Sequence, residues 1–255
     1  MIRTVESLAK SYSALHIVCA WDHRSSSYRK SIYPGYKGGR KEKYKDQTPE
    51  EKLQAEMFFN GLDEAYQHMV IHEKNTGFVT NFKFEFVEAD DPIALTVQVM
   101  EPFVDHIWVI STDQDFCQLI SNKVSLFAYK SRKEFTLDTM FEYTNADSGE
   151  QHLFIKCLQG DSGDSVPGVP DVGPKRGYGL AREYGDIFSL IAALPIEGKQ
   201  KYIVKLNEFG ASNLMMNLEL MDLKSYCATA IAFPNPANLD YMFDKLEKIK
   251  EIYNV

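Results

Sequence analysis

The stretch HIWVISTDQD, residues 106–115, is a short apolar run that ends in two aspartates, and HIVCAWD, residues 16–22, repeats the pattern. An apolar run of this length bounded by carboxylates fits a buried parallel strand that presents ligands at its carboxyl end. FKFEFVE, residues 82–88, alternates and closes on Glu88, and reads as a third strand. Between these runs the apolar residues recur at helical spacing: Leu53, Met57, Leu62, Ala65 and Met69 in one segment, Ile93, Val97, Met100 and Val104 in another, with Pro92 suited to a first turn. Strands alternating with helices imply an α/β fold with a mostly parallel central sheet flanked by helices.

Beyond about residue 145 the strand signal fades. EQHLFIKCLQG, KRGYGLAREYG and DIFSLIAAL read as short helices punctuated by Gly and Pro, and KYIVKLNEFGASNLMMNLELMDL as a longer one. The expected organisation is an α/β core over 1–145 and a helical region over 146–255. With 255 residues, 44% of them apolar and 25% charged, the chain can bury a proper core, so disorder is not expected. No apolar run approaches membrane-spanning length and the start lacks a signal-peptide core, so a cytoplasmic protein without membrane contacts is expected. Cys19, Cys117, Cys157 and Cys227 are scattered and read as reduced core thiols. His68 and His72, four apart on a helix, lack the Glu of a zinc-protease motif and read as a surface pair.

The net charge is −8, which opposes phosphate, but the window 24–45 carries +7 and leaves the remainder at −15. Four tyrosines, Tyr28, Tyr33, Tyr36 and Tyr44, interleave with those cations, a composition suited to single-stranded nucleic acid. Eight carboxylates fall at strand or helix ends: Asp22; Glu88, Asp90 and Asp91 in VEADD; Asp113 and Asp115 in STDQD; Asp161 and Asp164 in GDSGD. Each cluster alone is an ordinary cap or loop. Gathered together they would repel unless cations neutralise them, and hard oxygen donors without clustered His or Cys suit Mg²⁺ or Mn²⁺. Two such ions roughly 3.5–4 Å apart would serve in-line phosphodiester hydrolysis. In PGVPDVGPKRG, residues 167–177, Gly168 and Gly173 expose backbone N–H groups, Pro174 starts a helix, and Lys175 and Arg176 add charge, a phosphate-binding pattern.

ESLAKSYSA, YPGYKGGRKEKY, VEADD, STDQDF, GDSGDSVPGVPDVGPKRG and LPIEGKQKYI occur in this order. Together they resemble the flap endonuclease and 5′-exonuclease family, with the phage enzymes of the T-five type nearest, over almost the whole chain. The resemblance implies a structure-specific nuclease acting on DNA with a 5′ flap, fork or 5′ end, RNA-primed DNA included, and working as a monomer. It also implies a helical arch over 24–50 above a two-metal site and a helix-three-turn-helix over 152–184. By motif, Asp22, Glu88, Asp90, Asp91 and Asp113 would serve one metal and Asp115, Asp161 and Asp164, with Asp113 shared or adjacent, the other. Lys37 and Arg40 would grip the scissile phosphate, and Tyr36 could stack on a base. Arg29 and Lys41 would contact DNA, and Gly168, Gly173, Lys175 and Arg176 would hold the duplex, with a K⁺ on the 168–173 hairpin.

Family members open with a strand that ends in an aspartate, and the present sequence starts at what resembles the helix after it. A sheet without that strand is expected to have two unpaired edges. This leaves room for a protein that binds forked DNA without cutting it. A phosphatase of the haloacid-dehalogenase type also matches DQD and the later GDSGD, but in that class the first motif lies near the amino terminus.

Overall fold

A computed structural model describes residues 2–39 and 46–253. Helix α1 (Ile2–Ser11) leads into strand β1 (Ile17–Trp21), followed by the short α2 (Ser27–Ile32) and the long α3 (Pro49–Thr76). Then come β2 (Val79–Lys83), α4 (Asp90–Met100), β3 (Ile107–Ile110), β4 (Val124–Ala128) and β5 (Lys133–Phe135). The rest is helical: α5 (Met140–Thr144), α6 (Gly149–Gln159), α7 (Pro174–Tyr184), α8 (Ile187–Ala193), α9 (Lys201–Met221), α10 (Leu223–Ala232) and α11 (Ala237–Ile252).

The class is α/β, but the strands form two small sheets where one was expected. β1 pairs in parallel with β2, from Ile17 opposite Val79 to Trp21 opposite Lys83. β3 pairs in parallel with β4, and β5 closes that sheet antiparallel. Among the described residues nothing joins β1 to β3, so each has one unpaired edge. The consequence is visible in burial. All five residues of β1 are only half-buried and Ile110 of β3 is exposed, whereas β4 is buried throughout and β2 almost so. The expected third strand is displaced as well: β2 ends at Lys83, and Phe84–Glu88 form a turn whose geometry places Glu88 at the start of α4.

Two apolar clusters hold the chain. The first joins β2, α4 and the β3–β5 sheet to α10 and α11 through Phe82, Leu95, Leu126, Ile231 and Leu246, and Val18 and Ile107 pack against it from the two sheets. The second gathers α6, the hairpin after it, α7, α8 and α9 around Phe154, Val169, Leu190 and Leu214. Tyr12 seats α1 on the sheet, its ring 4.4 Å from that of Trp108.

Helix α3 starts sharply because Thr48 and Glu51 cap it reciprocally with Pro49 at its first position, and it stops where Gly77 takes φ +63°. Only Met69 of this helix is buried, while Leu53, Met57, Phe58, Phe59 and Leu62 are exposed, so its first half projects away from both clusters. All four cysteines are free thiols; His68 is exposed, while His72 is half-buried and lies 3.5 Å from Glu6. No helix among the described residues is long and apolar enough to cross a membrane.

Candidate active site at the strand ends

The carboxyl ends of β1 and β3 meet at the amino terminus of α4. Asp22, just past β1, accepts a hydrogen bond from the Ala89 N–H at 2.9 Å, so one of its oxygens caps α4. Asp90 and Asp91 lie in that helix's first turn, where the dipole favours negative charge. Burial pushes the Asp90 carboxyl up to about 8, and the neighbouring Asp113, Glu88 and Asp91 carboxylates add to it. Asp113 is raised too, by burial and then by Asp115. It is fixed in place by accepting from the Asp115 N–H at 2.8 Å.

Two lysines stand between the carboxylates. Lys37 Nζ is 2.7 Å from Glu88 Oε1 and 3.7 Å from Asp164 Oδ2. Lys156, on α6, lies 2.9 Å from Asp115 and 2.8 Å from Asp161. Burial works against the Lys156 charge, but Asp115 and Asp161 outweigh it and hold the ammonium well above its ordinary range. Burial likewise works to raise Asp161, and Lys156 overrides it downward.

Among the described residues no three carboxylate, histidine or cysteine groups stand together as a ready metal cage. The donor chemistry nevertheless suits hard divalent cations. The carboxylates are crowded, burial and its carboxylate neighbours push Asp90 toward its neutral form against the opposing charge of Arg29, and each lysine marks a place where a cation sits between two of them. The residues fit the ions on those grounds.

The segment carrying Lys37 is strapped onto the hairpin of Asp161 and Asp164. Lys37 N–H donates to the Asp164 carbonyl at 2.7 Å, and Gly39 N–H to Ser165 Oγ at 3.2 Å. Tyr36 is buried, with its hydroxyl 2.8 Å from Glu88 Oε2 and 3.0 Å from Asp164 Oδ2. That corrects the expected role: its ring belongs to the second apolar cluster and has no free face for a base, and its hydroxyl binds the two carboxylates together.

Arg29 is corrected similarly. It is buried, gives two hydrogen bonds of 2.8 Å to Asp91 and donates through Nε to the Leu220 carbonyl at 2.9 Å, so it cannot reach DNA. Burial opposes its charge, but Asp91 keeps it protonated well above its usual value. Asp91 in turn has both oxygens committed to that guanidinium, which makes it a structural partner and removes it from the metal set. Arg40 and Lys41 lie outside the described residues.

The hairpin 160–173 is built on close backbone approach. Val169 N–H donates to the Leu158 carbonyl at 2.7 Å, and a Cβ on Gly168 would lie 1.8 Å from the Gln159 carbonyl oxygen. Gly168 is therefore required for packing. Asn217 staples the hairpin to α9 by donating to the Cys157 and Pro167 carbonyls at 2.9 and 2.7 Å. At the far end Gly173 caps α7 without a side chain, followed by Pro174, and Gly173, Lys175 and Arg176 are exposed. Arg176 donates to the Asp171 carbonyl and lies over the Tyr202 ring at 5.2 Å. An open helix terminus beside two cations suits a phosphate.

Lys156 escapes sequence reading. Its one signal is a single cation inside the apolar run HLFIKCL, five residues before Asp161.

Residues 1–145 match the family described as 5′-3′ exonuclease, N-terminal resolvase-like domain. The chain is 41% identical to the flap endonuclease of Escherichia phage T5 over 250 residues, covering 98% of this chain and 84% of that one. It is 30% identical to the 5′-3′ exonuclease of Bacillus subtilis (strain 168) over 229 residues, covering 88% of this chain and 69% of that one. The fold is similar to a crystal structure of the phage T5 flap endonuclease in a pseudo-enzyme-product complex with DNA and metal ions. That match has a TM-score of 0.91 and 40% identity, and covers 98% of this chain and 89% of the other.

Proposed function

The chain belongs to the 5′-3′ exonuclease family, and from that premise we propose that it is a structure-specific 5′ nuclease. It hydrolyses phosphodiesters of DNA at a 5′ flap, fork or 5′ end, RNA-primed DNA included, and leaves 5′-phosphates. The observation that carries this reading is the gathering of Asp22, Glu88, Asp90 and Asp113 around the start of α4, facing Lys37 and the Asp161–Asp164 hairpin.

Asp22, Glu88, Asp90 and Asp113 would hold one divalent ion, and Asp115, Asp161 and Asp164 the other. Mg²⁺ or Mn²⁺ bound there supplies an activated water and neutralises charge at the phosphate. Lys37 sits within reach of the same centre and, on leaving Glu88 for a phosphate oxygen, orients the scissile group together with Arg40. Tyr36 ties Glu88 and Asp164 together through its hydroxyl and so keeps them in register. The duplex lies against Gly173, Lys175 and Arg176, with a K⁺ on the 168–173 hairpin. The projecting half of α3 forms part of the arch over the single strand.

The test is cleavage of a 5′-labelled flap substrate with Mg²⁺, beside blunt duplex, single strand and p-nitrophenyl phosphate. Preference for the flap supports the reading. Hydrolysis of the phosphomonoester alone refutes it in favour of a phosphatase. A second reading, forked-DNA binding without cleavage, draws on the lack of three converged carboxylates among the described residues. Salt-sensitive binding with no Mg²⁺-dependent product would establish it.

A further inference from the structure

Two residues other than glycine take positive φ side by side at the rim of the carboxylate cluster, Arg24 at +61° and Phe86 at +60°. Contact between Cβ and the backbone disfavours this region, most of all for a bulky residue, so such a conformation persists only where the surroundings impose it. Here they do. The Ser27 N–H donates to the Phe86 carbonyl at 3.0 Å, and the Phe86 N–H donates to His23 Nδ1 at 3.4 Å.

The turn sends the Phe86 ring outward. Its neighbours Phe84 and Val87 are 8% and 1% exposed and join the first apolar cluster, whereas Phe86 is 36% exposed. The Arg24 guanidinium carbon lies 5.6 Å from the ring centroid, and Arg24 is exposed with no ion pair among the described residues. The same two loops carry the proposed metal ligands. Asp22 accepts from the Ala89 N–H, and Glu88 accepts from the Ser26 N–H at 3.1 Å. An exposed aromatic ring and an exposed cation are thus built into the frame of the carboxylate centre, two residues from Glu88 and Asp22 respectively.

An aromatic face beside an exposed guanidinium matches a nucleobase and its own phosphate, the pair of groups that an unstacked nucleotide offers. Resting on the nuclease reading above, we propose that Phe86 and Arg24 form a stacking subsite for one unpaired nucleobase next to the scissile phosphate. The base stacks on Phe86, and Arg24 exchanges its ring contact for that nucleotide's phosphate. The subsite holds the nucleotide in register with the carboxylates and so helps set where the strand is cut.

The test uses flap DNA with 2-aminopurine placed in turn at each nucleotide flanking the cut, bound in Ca²⁺ so that the strand stays intact, and the same sequences cleaved in Mg²⁺. One position should be quenched on binding to the wild-type chain and to Phe86→Tyr, but not to Phe86→Asn, which removes the ring while asparagine tolerates positive φ. Phe86→Asn should raise KM by about 5- to 150-fold on that substrate. An abasic site at the quenched position should erase the difference between Phe86→Asn and wild type, and Arg24→Ala should weaken binding while leaving the quench in place. Absence of quenching at every position in the wild-type complex overturns the proposal, whether or not Phe86→Asn folds. So does a folded Phe86→Asn with wild-type KM on both intact and abasic DNA. Wild-type protein that neither binds nor cleaves flap DNA overturns the nuclease reading itself.

Discussion

Replacing Arg29 by alanine should destabilise the protein by about 3–5 kcal/mol, the cost of stranding one partner of a buried ion pair. The structure accounts for that figure. The Arg29 and Asp91 side chains are 4% and 0% exposed, two hydrogen bonds of 2.8 Å join them, and a third ties Arg29 Nε to Leu220. Without Arg29 the Asp91 carboxylate must either stay charged in an apolar setting or take up a proton, and the Leu220 carbonyl loses its donor. At about 2–4 °C per kcal/mol for a chain of this size, the midpoint should fall by roughly 6–20 °C. Urea denaturation followed by circular dichroism measures it, with m unchanged if the native state keeps its compactness. The double variant Arg29→Met with Asp91→Leu should recover most of the loss, because an apolar pair removes the stranded charge. A cost below about 1 kcal/mol for Arg29→Ala, or a double variant no better than the single, would show that the pair does not carry the junction of α2, α4 and α9.

Gly168→Ala should cost about 1–3 kcal/mol or more by the same assay, since the new methyl meets the Gln159 carbonyl, whereas Gly173→Ala, with nothing within 4 Å, should stay within about 1 kcal/mol. Replacing Lys175 and Arg176 together by alanine should weaken duplex binding and lower the slope of log K against log salt by about 2, read from titrations at several salt concentrations; an unchanged slope removes α7 from the interface. Lys156→Met should leave Asp115 and Asp161 facing each other without their shared cation, lowering stability in metal-free buffer and making the midpoint rise more steeply with added Mg²⁺ than in the wild type; equal responses would show that Lys156 does not hold a cation's place.

Much of the site is legible in sequence because its signals are local. Apolar runs ending in aspartate do lie at strand ends, as Asp22 and Asp113 show, and Gly-Pro-Lys-Arg does open a helix at Pro174. What stays hidden depends on partners far along the chain. Asp91 looks like another ligand in VEADD until Arg29, sixty-two residues earlier, is seen to take both of its oxygens. Tyr36 reads as a stacking ring because its cationic neighbours are visible, while Glu88 and Asp164, which bind its hydroxyl, come later in the chain. The alternation of FKFEFVE predicts a strand through Glu88, yet the run leaves β-geometry at Phe84 so that Glu88 can meet Ser26 and Lys37. The division into two sheets follows from edge pairing, which hydrophobic pattern alone does not encode.

The most direct test of the nuclease assignment compares wild type with Asp113→Asn on a 5′-labelled flap substrate, scoring cleavage in Mg²⁺ and binding in Ca²⁺. The account predicts cleavage near the flap junction by the wild type, with 5′-phosphate on the downstream product, and loss of cleavage with binding largely retained in the variant. Undiminished cleavage by Asp113→Asn would contradict it.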